Sequence, residues 1–149
     1  MGTRVSFYKT QLVKESSRTY ELANCPYDVI KVLPILLDTI SLEDREHFVV
    51  LYLNTKHKVT GFETISIGAL NASIVHPREV FKGALLGNAA AIICAHNHPS
   101  GDTTPSPEDY KVTQRLREAG SVLGIDLIDH IILGDNGRYH SFKEKGFFL

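Results

Sequence analysis

His96 and His98 stand one residue apart at the end of an apolar run, 89–95, and residues 96–109 read HNHPSGDTTPSPED. Side chains two apart on an extended chain point the same way, so the two imidazoles can address one point. Neutral imidazole is a good zinc ligand, and an acid from the following helix start, Asp109, would complete a three-ligand set. Ser106 reads as the cap of that helix, with Pro107 in its first turn and Asp109 at its third position. Three protein ligands plus a water is the catalytic form of a zinc site rather than the structural one. Zinc held this way lowers the pKa of water to about 7, which makes a nucleophile at neutral pH.

Each of these residues also has a simpler reading. A lone His-x-His pair arises often by chance. Ser106-Pro107-Glu108-Asp109 is close to a capping box, whose acid would serve only the helix end. An Asp109 engaged by a metal is less free to complete that box. Pro99, Gly101, Pro105 and Pro107 shape a turn by themselves. None of these readings accounts for the whole set falling together at a strand end.

The neighbouring candidates are weaker. Cys94 shares the face of His96 by alternation, but its surroundings, AAAIICA, read as a packed, reduced thiol. Asp102 reads as a turn acid or as a partner of a histidine ring. His130, in Asp129-His130-Ile131, reads as a hydrogen-bonded core residue rather than a ligand. His76 before Pro77 belongs to a helix start, and Asn97 and Ser100 would orient the loop or meet substrate.

The elements that must position this set follow from periodicity. Asn24-Cys25-Pro26 resembles a helix start. Val29, Val32, Leu33, Leu36, Leu37 and Ile40 then keep helical spacing. Pro34 interrupts that pattern and should kink or split the helix. Residues 48–53 read as a strand covered on both faces, and 59–67 as a second strand. A short helix spans 78–86 and a buried strand 89–96. A longer helix starts at Ser106, sets Val112, Leu116, Ala119 and Leu123 on one face, and ends at Gly124. A strand at 125–133 and an Asp135-Asn136-Gly137 hairpin turn lead to a return strand at 138–142. Val5, Phe7 and Leu12 suggest an extended edge segment, and an exposed edge at 5–13 could pair with a second subunit. Interleaved strands and helices make the class α/β with a mixed sheet.

The bulk properties bound the function. The chain has 149 residues, 43% hydrophobic and 22% charged, which suits a single domain with its own core. No apolar run approaches the roughly 20 residues of a membrane helix. The N-terminus lacks the apolar stretch of a secretory signal, so a cytoplasmic protein with no membrane partner is expected. Sixteen basic and seventeen acidic residues give a net charge of −1. Without a basic stripe, counterion release is small and independent DNA binding is expected to be weak or absent.

The stretch HNHPSGDTTPSPED resembles the His-x-His-Pro-x-Gly…Ser-x-x-Asp signature of the JAMM (MPN-type, JAB-domain) zinc metallopeptidases. With REHFVVLYLN, NASIVHPREVFKGAL and LIDHIILGDNGRYHSF beside it, the chain is most similar to the RadC family, once named for DNA repair. The match covers about residues 24–146. The resemblance implies one MPN (JAB)-like domain over 24–149, an α/β/α sandwich of the cytidine-deaminase-like kind, behind an extension at 1–23. It implies zinc bound by His96, His98 and Asp109, and an oxyanion stabilised by Ser106. A glutamate would act as general base on the attacking water and then as acid to the leaving amine. Glu46 matches the family's position for it, before the first core strand, and Glu63, midway along the second, is the rival. The substrate implied is a protein or peptide, cleaved at a peptide or isopeptide bond.

Other functions compete with this one. HNH nucleases spread their histidines over a longer ββα unit, and no basic surface supports that reading. Zinc deaminases use His-x-Glu with a distant Pro-Cys-x-x-Cys, and this chain has no Cys-x-x-Cys. A non-catalytic or nucleic-acid-linked DNA-repair module is the remaining alternative. Longer RadC proteins carry a helical N-terminal region resembling DNA-binding modules. Only about 23 residues precede the domain here, which weakens the expectation of a DNA-repair role.

Overall fold

The computed structural model describes residues 1–20, 27–41, 43–68 and 75–148. Along the chain come α1 (Val29–Thr39), β1 (His47–Leu53), β2 (Val59–Ile67), α2 (Pro77–Leu86) and β3 (Ala91–Asn97). Then come α3 (Pro107–Leu123), β4 (Asp126–Leu133) and β5 (Tyr139–Ser141). The sheet runs β2-β1-β3-β4-β5. β3 and β4 are parallel and joined through α3, while the other neighbours are antiparallel. The fold is therefore a single α/β domain built on an open, mixed, five-stranded sheet.

Burial follows position in the sheet. β1 and β3 are central, and their apolar runs are buried almost throughout. β2 lies at the edge, and exposed positions punctuate it. Alternation divides the core into two layers. Val49, Leu51, Leu53, Ile93, Ala95 and Ile131 pack with Val32, Ile35 and Leu36 of α1. Phe48, Val50, Ile92, Cys94 and Leu127 pack on the other face with Val80, Phe81 and Ala84 of α2 and Val112 and Leu116 of α3. Helices thus cover both faces, the α/β/α arrangement.

Three expectations change. α1 begins at Val29, where the Asp28 carboxylate accepts the Ile30 N–H at 3.2 Å. Asn24, Cys25 and Pro26 lie outside the described residues. Pro34 does not split α1. It sits on the exposed face, and the carbonyl it leaves unpaired belongs to Ile30, itself exposed and open to water. The strand expected around residues 5–12 is not formed. Residues 1–20 pair with no strand, and the Val5, Phe7 and Tyr8 side chains remain exposed. The end of that segment is tied to α1, where Arg18 and Tyr20 both donate to the Asp38 carboxylate, at 2.9 and 2.6 Å.

Two turns complete the frame around the site. Asn136 and Gly137 have φ of 51° and 72°, the left-handed pair that a tight hairpin of mirror-image type needs between β4 and β5. Gly101, at φ 87°, lets the loop after β3 press against that hairpin. Its carbonyl accepts the Asp135 N–H at 3.2 Å, and a Cβ there would stand 2.7 Å from Asp135 Oδ2.

Candidate metal centre

The site lies beyond the carboxyl end of β3, where that strand runs parallel to β4 and the chain crosses over into α3. Ligand sites of α/β sheets form at such strand ends. His96 is fully buried on the face shared by Phe48 and Cys94. His98 is half-buried, with its N–H bonded to the Leu133 carbonyl at 2.8 Å. The loop then folds the start of α3 back over both rings, which brings in the buried Asp109 carboxylate.

Three donors converge. His96 Nε2 stands 3.0 Å from His98 Nε2 and 3.2 Å from Asp109 Oδ1, and His98 Nε2 stands 3.3 Å from Asp109 Oδ2. Donors placed about 2.0–2.1 Å from a tetrahedral zinc ion lie about 3.3 Å from one another. The His98 Nδ1 faces the Asp102 carbonyl at 2.7 Å. A carbonyl only accepts, so the His98 proton sits on Nδ1 and the Nε2 of the neutral ring is a bare lone pair aimed at the cluster. The residues therefore fit a divalent cation. Among the described residues, His96, His98 and Asp109 are the His/Cys/Asp/Glu group whose ligand atoms could hold one, all lying within 4.8 Å.

The electrostatics of the cluster are set by burial and by its mutual contacts. Burial opposes ionisation of Asp109, but the hydrogen bonds from His96 and His98 outweigh it and hold the carboxyl well below its usual range. The bond to Asp109 raises the pKa of His98 against a smaller loss from burial, and the Asp102 carbonyl and the charges of Asp109 and Glu46 add to the rise. Burial pushes His130, behind His96, well below the ordinary imidazole value.

Asp109 also completes the helix cap, as the capping-box pattern of Ser106 to Asp109 suggests. Ser106 Oγ accepts the Asp109 N–H at 3.1 Å, while Asp109 Oδ2 accepts the Ser106 N–H at 2.8 Å. A carboxylate has two oxygens and about four lone-pair sites, so Oδ2 serves the helix end while Oδ1 keeps its capacity for the cluster. Ser106 Oγ takes the helix N–H as an acceptor, which leaves its own proton available to a bound group.

The two glutamates part company. Glu46 directly precedes β1, is half-buried, and its charge is felt at His98. Its carbonyl accepts the Gly68 N–H at 2.8 Å, which ties it to the end of β2. Glu63 is paired across from Val50, and the Tyr52 hydroxyl donates to its Oε2. Gly83 of α2 lies over that pair, and a Cβ at Gly83 would collide with both groups. Glu63 is thus committed to a contact under α2.

Asn97 takes a part that its place between two histidines conceals. Its side chain points to the opposite face. Oδ1 accepts the His47 N–H at 2.7 Å, and Nδ2 donates to the carbonyls of Arg45, at 2.9 Å, and Glu43, at 3.3 Å. One buried amide thereby fixes the segment carrying Glu46 to the strand carrying the histidines. Asp102 does partner a histidine, but through its main-chain carbonyl. Its carboxylate turns away to the N–H of Thr104 at 3.0 Å and the hydroxyl at 2.8 Å. Ser100 Oγ accepts the Asp102 N–H at 3.4 Å, a contact within the loop. Cys94 is buried and free in the core, its thiol pushed up by burial. His76 caps α2 by accepting the Arg78 N–H at 3.1 Å. Thr113, which sequence reasoning passed over, lies one helical turn after Asp109 and meets His130 at 2.6 Å. The i, i+4 spacing was the available signal.

Comparison with known proteins agrees with this architecture. The model of the RadC-like JAB domain matches residues 24–147. A UPF0758 protein of Listeria monocytogenes is 54% identical over 148 residues, covering 99% of this chain and 61% of its own length. One from Shouchella clausii is 65% identical over 104 residues, 70% of this chain and 45% of the relative. A third, from Caldanaerobacter subterraneus, is 56% identical over 123 residues, 83% of this chain and 51% of its own. The chain spans about half the length of the curated relatives it matches. With the domain model covering most of its residues and relatives this similar, the chain belongs to the RadC-like JAB domain family.

Proposed function

We propose that this domain is a zinc-dependent hydrolase, a metallopeptidase that cleaves a peptide or isopeptide bond. The observation that carries the reading is the convergence of His96 Nε2, His98 Nε2 and the Asp109 carboxylate within 4.8 Å at the end of β3. Two imidazoles and one carboxylate are the donor set of a catalytic zinc site with one position left for water. When bound, zinc supplies Lewis-acid chemistry that makes water nucleophilic near neutral pH and polarises a carbonyl.

The remaining work falls to side chains of this chain. Glu46, at the mouth of β1, takes a proton from the attacking water and returns it to the leaving amine. Ser106 donates its free hydroxyl proton to the oxygen that gains charge on the scissile carbonyl. The substrate class is a protein or peptide. A chain of net charge −1 has no electrostatic basis for tight binding to nucleic acid by itself. Among the described residues, no helix is long and apolar enough to cross a membrane.

The test has two stages. Metal content is measured by plasma mass spectrometry for the wild type, His96→Ala and Asp109→Ala, each checked for folding. About one zinc per chain, lost in both folded variants, is expected. Peptide and isopeptide substrates are then screened with Glu46→Gln and Glu63→Gln in parallel. The first should abolish turnover and the second should leave most of it. Folded wild type that takes up no zinc on reconstitution would remove the hydrolase reading and favour a non-catalytic module.

A further inference from the structure

We propose that Thr113 and His130 act as positioning residues that fix the ring proton of His96 on Nδ1, so that His96 faces the cation through Nε2. The inference rests on the metal-site reading given above and adds two residues to it. It follows from where each proton can go. Thr113 Oγ1 lies 2.6 Å from the Asp109 carbonyl and 2.6 Å from His130 Nδ1. A carbonyl cannot donate, so the single hydroxyl proton of Thr113 goes to Asp109. The second short contact then needs its proton from His130, which places that proton on Nδ1.

His130 Nε2 meets His96 Nδ1 at 2.8 Å. The His130 ring is fully buried, stacked on Phe142 at 5.0 Å and edge-on to Phe48 at 5.6 Å. Among the described residues no carboxylate bonds to the ring, and an unpaired buried charge is costly. The ring is therefore neutral, with Nε2 bare, and must accept from His96 Nδ1–H. The chain of contacts ends at the main chain of the residue that also supplies the carboxylate ligand. His98 reaches the same result more simply, through the Asp102 carbonyl at 2.7 Å. Ligating histidines usually have such a partner, often a carboxylate or carbonyl. Here a threonine polarises a second histidine, which acts as a neutral acceptor.

The placement explains two features of the fold. Cys94 and His130 are paired across the parallel β3–β4 ladder, so His130 lies on the face of the sheet that His96 shares. Thr113 is one turn beyond Asp109 on α3, so the helix that brings the carboxylate also brings the hydroxyl.

The test reads protons directly. In zinc-free, ¹⁵N-labelled protein, NMR correlations across the N–H···N bond between His96 and His130 show which nitrogen carries the hydrogen. The expected result is a proton on His96 Nδ1 and on His130 Nδ1, with His130 Nε2 bare. Thr113→Val removes the acceptor at nearly constant shape. It should move proton density onto His130 Nε2 and weaken zinc binding at least tenfold by chelator competition, within the usual 10–100-fold range for such partners. Thr113→Ser keeps the hydroxyl and should restore both. A proton on His130 Nε2 in the wild type overturns the proposal. So does a Thr113→Val protein with wild-type protonation and zinc affinity. The wild-type NMR measurement needs neither zinc nor a variant that folds. Failure of the wild type to bind zinc would count against the hydrolase reading alone.

Discussion

Asn97 Oδ1 accepts the His47 N–H at 2.7 Å, which locks the strand between the two histidines to the residue after Glu46. The same amide donates to the Arg45 and Glu43 carbonyls. The two candidate histidine ligands and the candidate base therefore share one rigid support, although 50 residues separate His47 from Asn97 in sequence.

Asn97→Ala tests that support. It leaves one N–H and two carbonyls without this partner, at an expected cost of about 1–3 kcal/mol. The melting temperature should fall by several degrees in thermal denaturation, while His96, His98 and Asp109 still bind zinc. Turnover should fall further than zinc content, because the Glu46 segment is released.

Ser106 has two separable duties. Ser106→Ala removes the acceptor for the Asp109 N–H and should cost about 1 kcal/mol of stability. For a chain of this length that is a fall of about 2–4 °C in melting temperature. Activity should drop much more, since the free hydroxyl proton goes too. Equal melting temperatures for variant and wild type would remove the capping duty.

Acidity should compete with the metal at His98. Its hydrogen bond to Asp109 raises its pKa against the opposing effect of burial. A proton therefore occupies Nε2 from a pH above the ordinary imidazole value of about 6.5 downwards. Zinc must displace that proton, so affinity should be flat at alkaline pH and fall as pH drops through the raised value. The slope should approach about tenfold per pH unit for each proton released. Chelator competition across this range checks it, and an affinity that stays level down to about pH 5.5 would contradict it.

Gly101→Ala probes the loop that carries the Asp102 carbonyl. At φ 87° a Cβ is strained by about 1–2 kcal/mol, and it would press on Asp135 Oδ2. The variant should be less stable and bind zinc more weakly, because the His98 ring loses its fixed partner. Calorimetry and a zinc titration on the same sample separate the two effects.

Much of this was legible in the sequence, for identifiable reasons. His96 lies at the end of one strand with His98 just beyond it, and Asp109 lies in the first turn of the next helix. Strand alternation and cap chemistry are local rules that need no tertiary information. β2 matched its expected span of 59–67, and the turn at Asn136-Gly137 formed where expected. The contacts that were hidden are nonlocal. His96 and His130 are 34 residues apart and meet only because β3 and β4 pair in parallel. The family resemblance favoured Glu46 and kept Glu63 as its rival. Only the register setting Glu63 against Val50, with the Tyr52 hydroxyl upon it, separates their surroundings. The N-terminal segment misled because its alternating pattern satisfies a strand rule, yet residues 1–20 join neither edge of the sheet.

The His-Asn-His alternation at the end of β3 has one more consequence. A slip of one residue against β1 would exchange the two sides of the strand. The histidines would then face α1, and Asn97 would face the cluster. A chain paired in the wrong register could neither gather the ligands nor close the clamp at His47. A cation held by His96, His98 and Asp109 would therefore also favour the correctly aligned sheet.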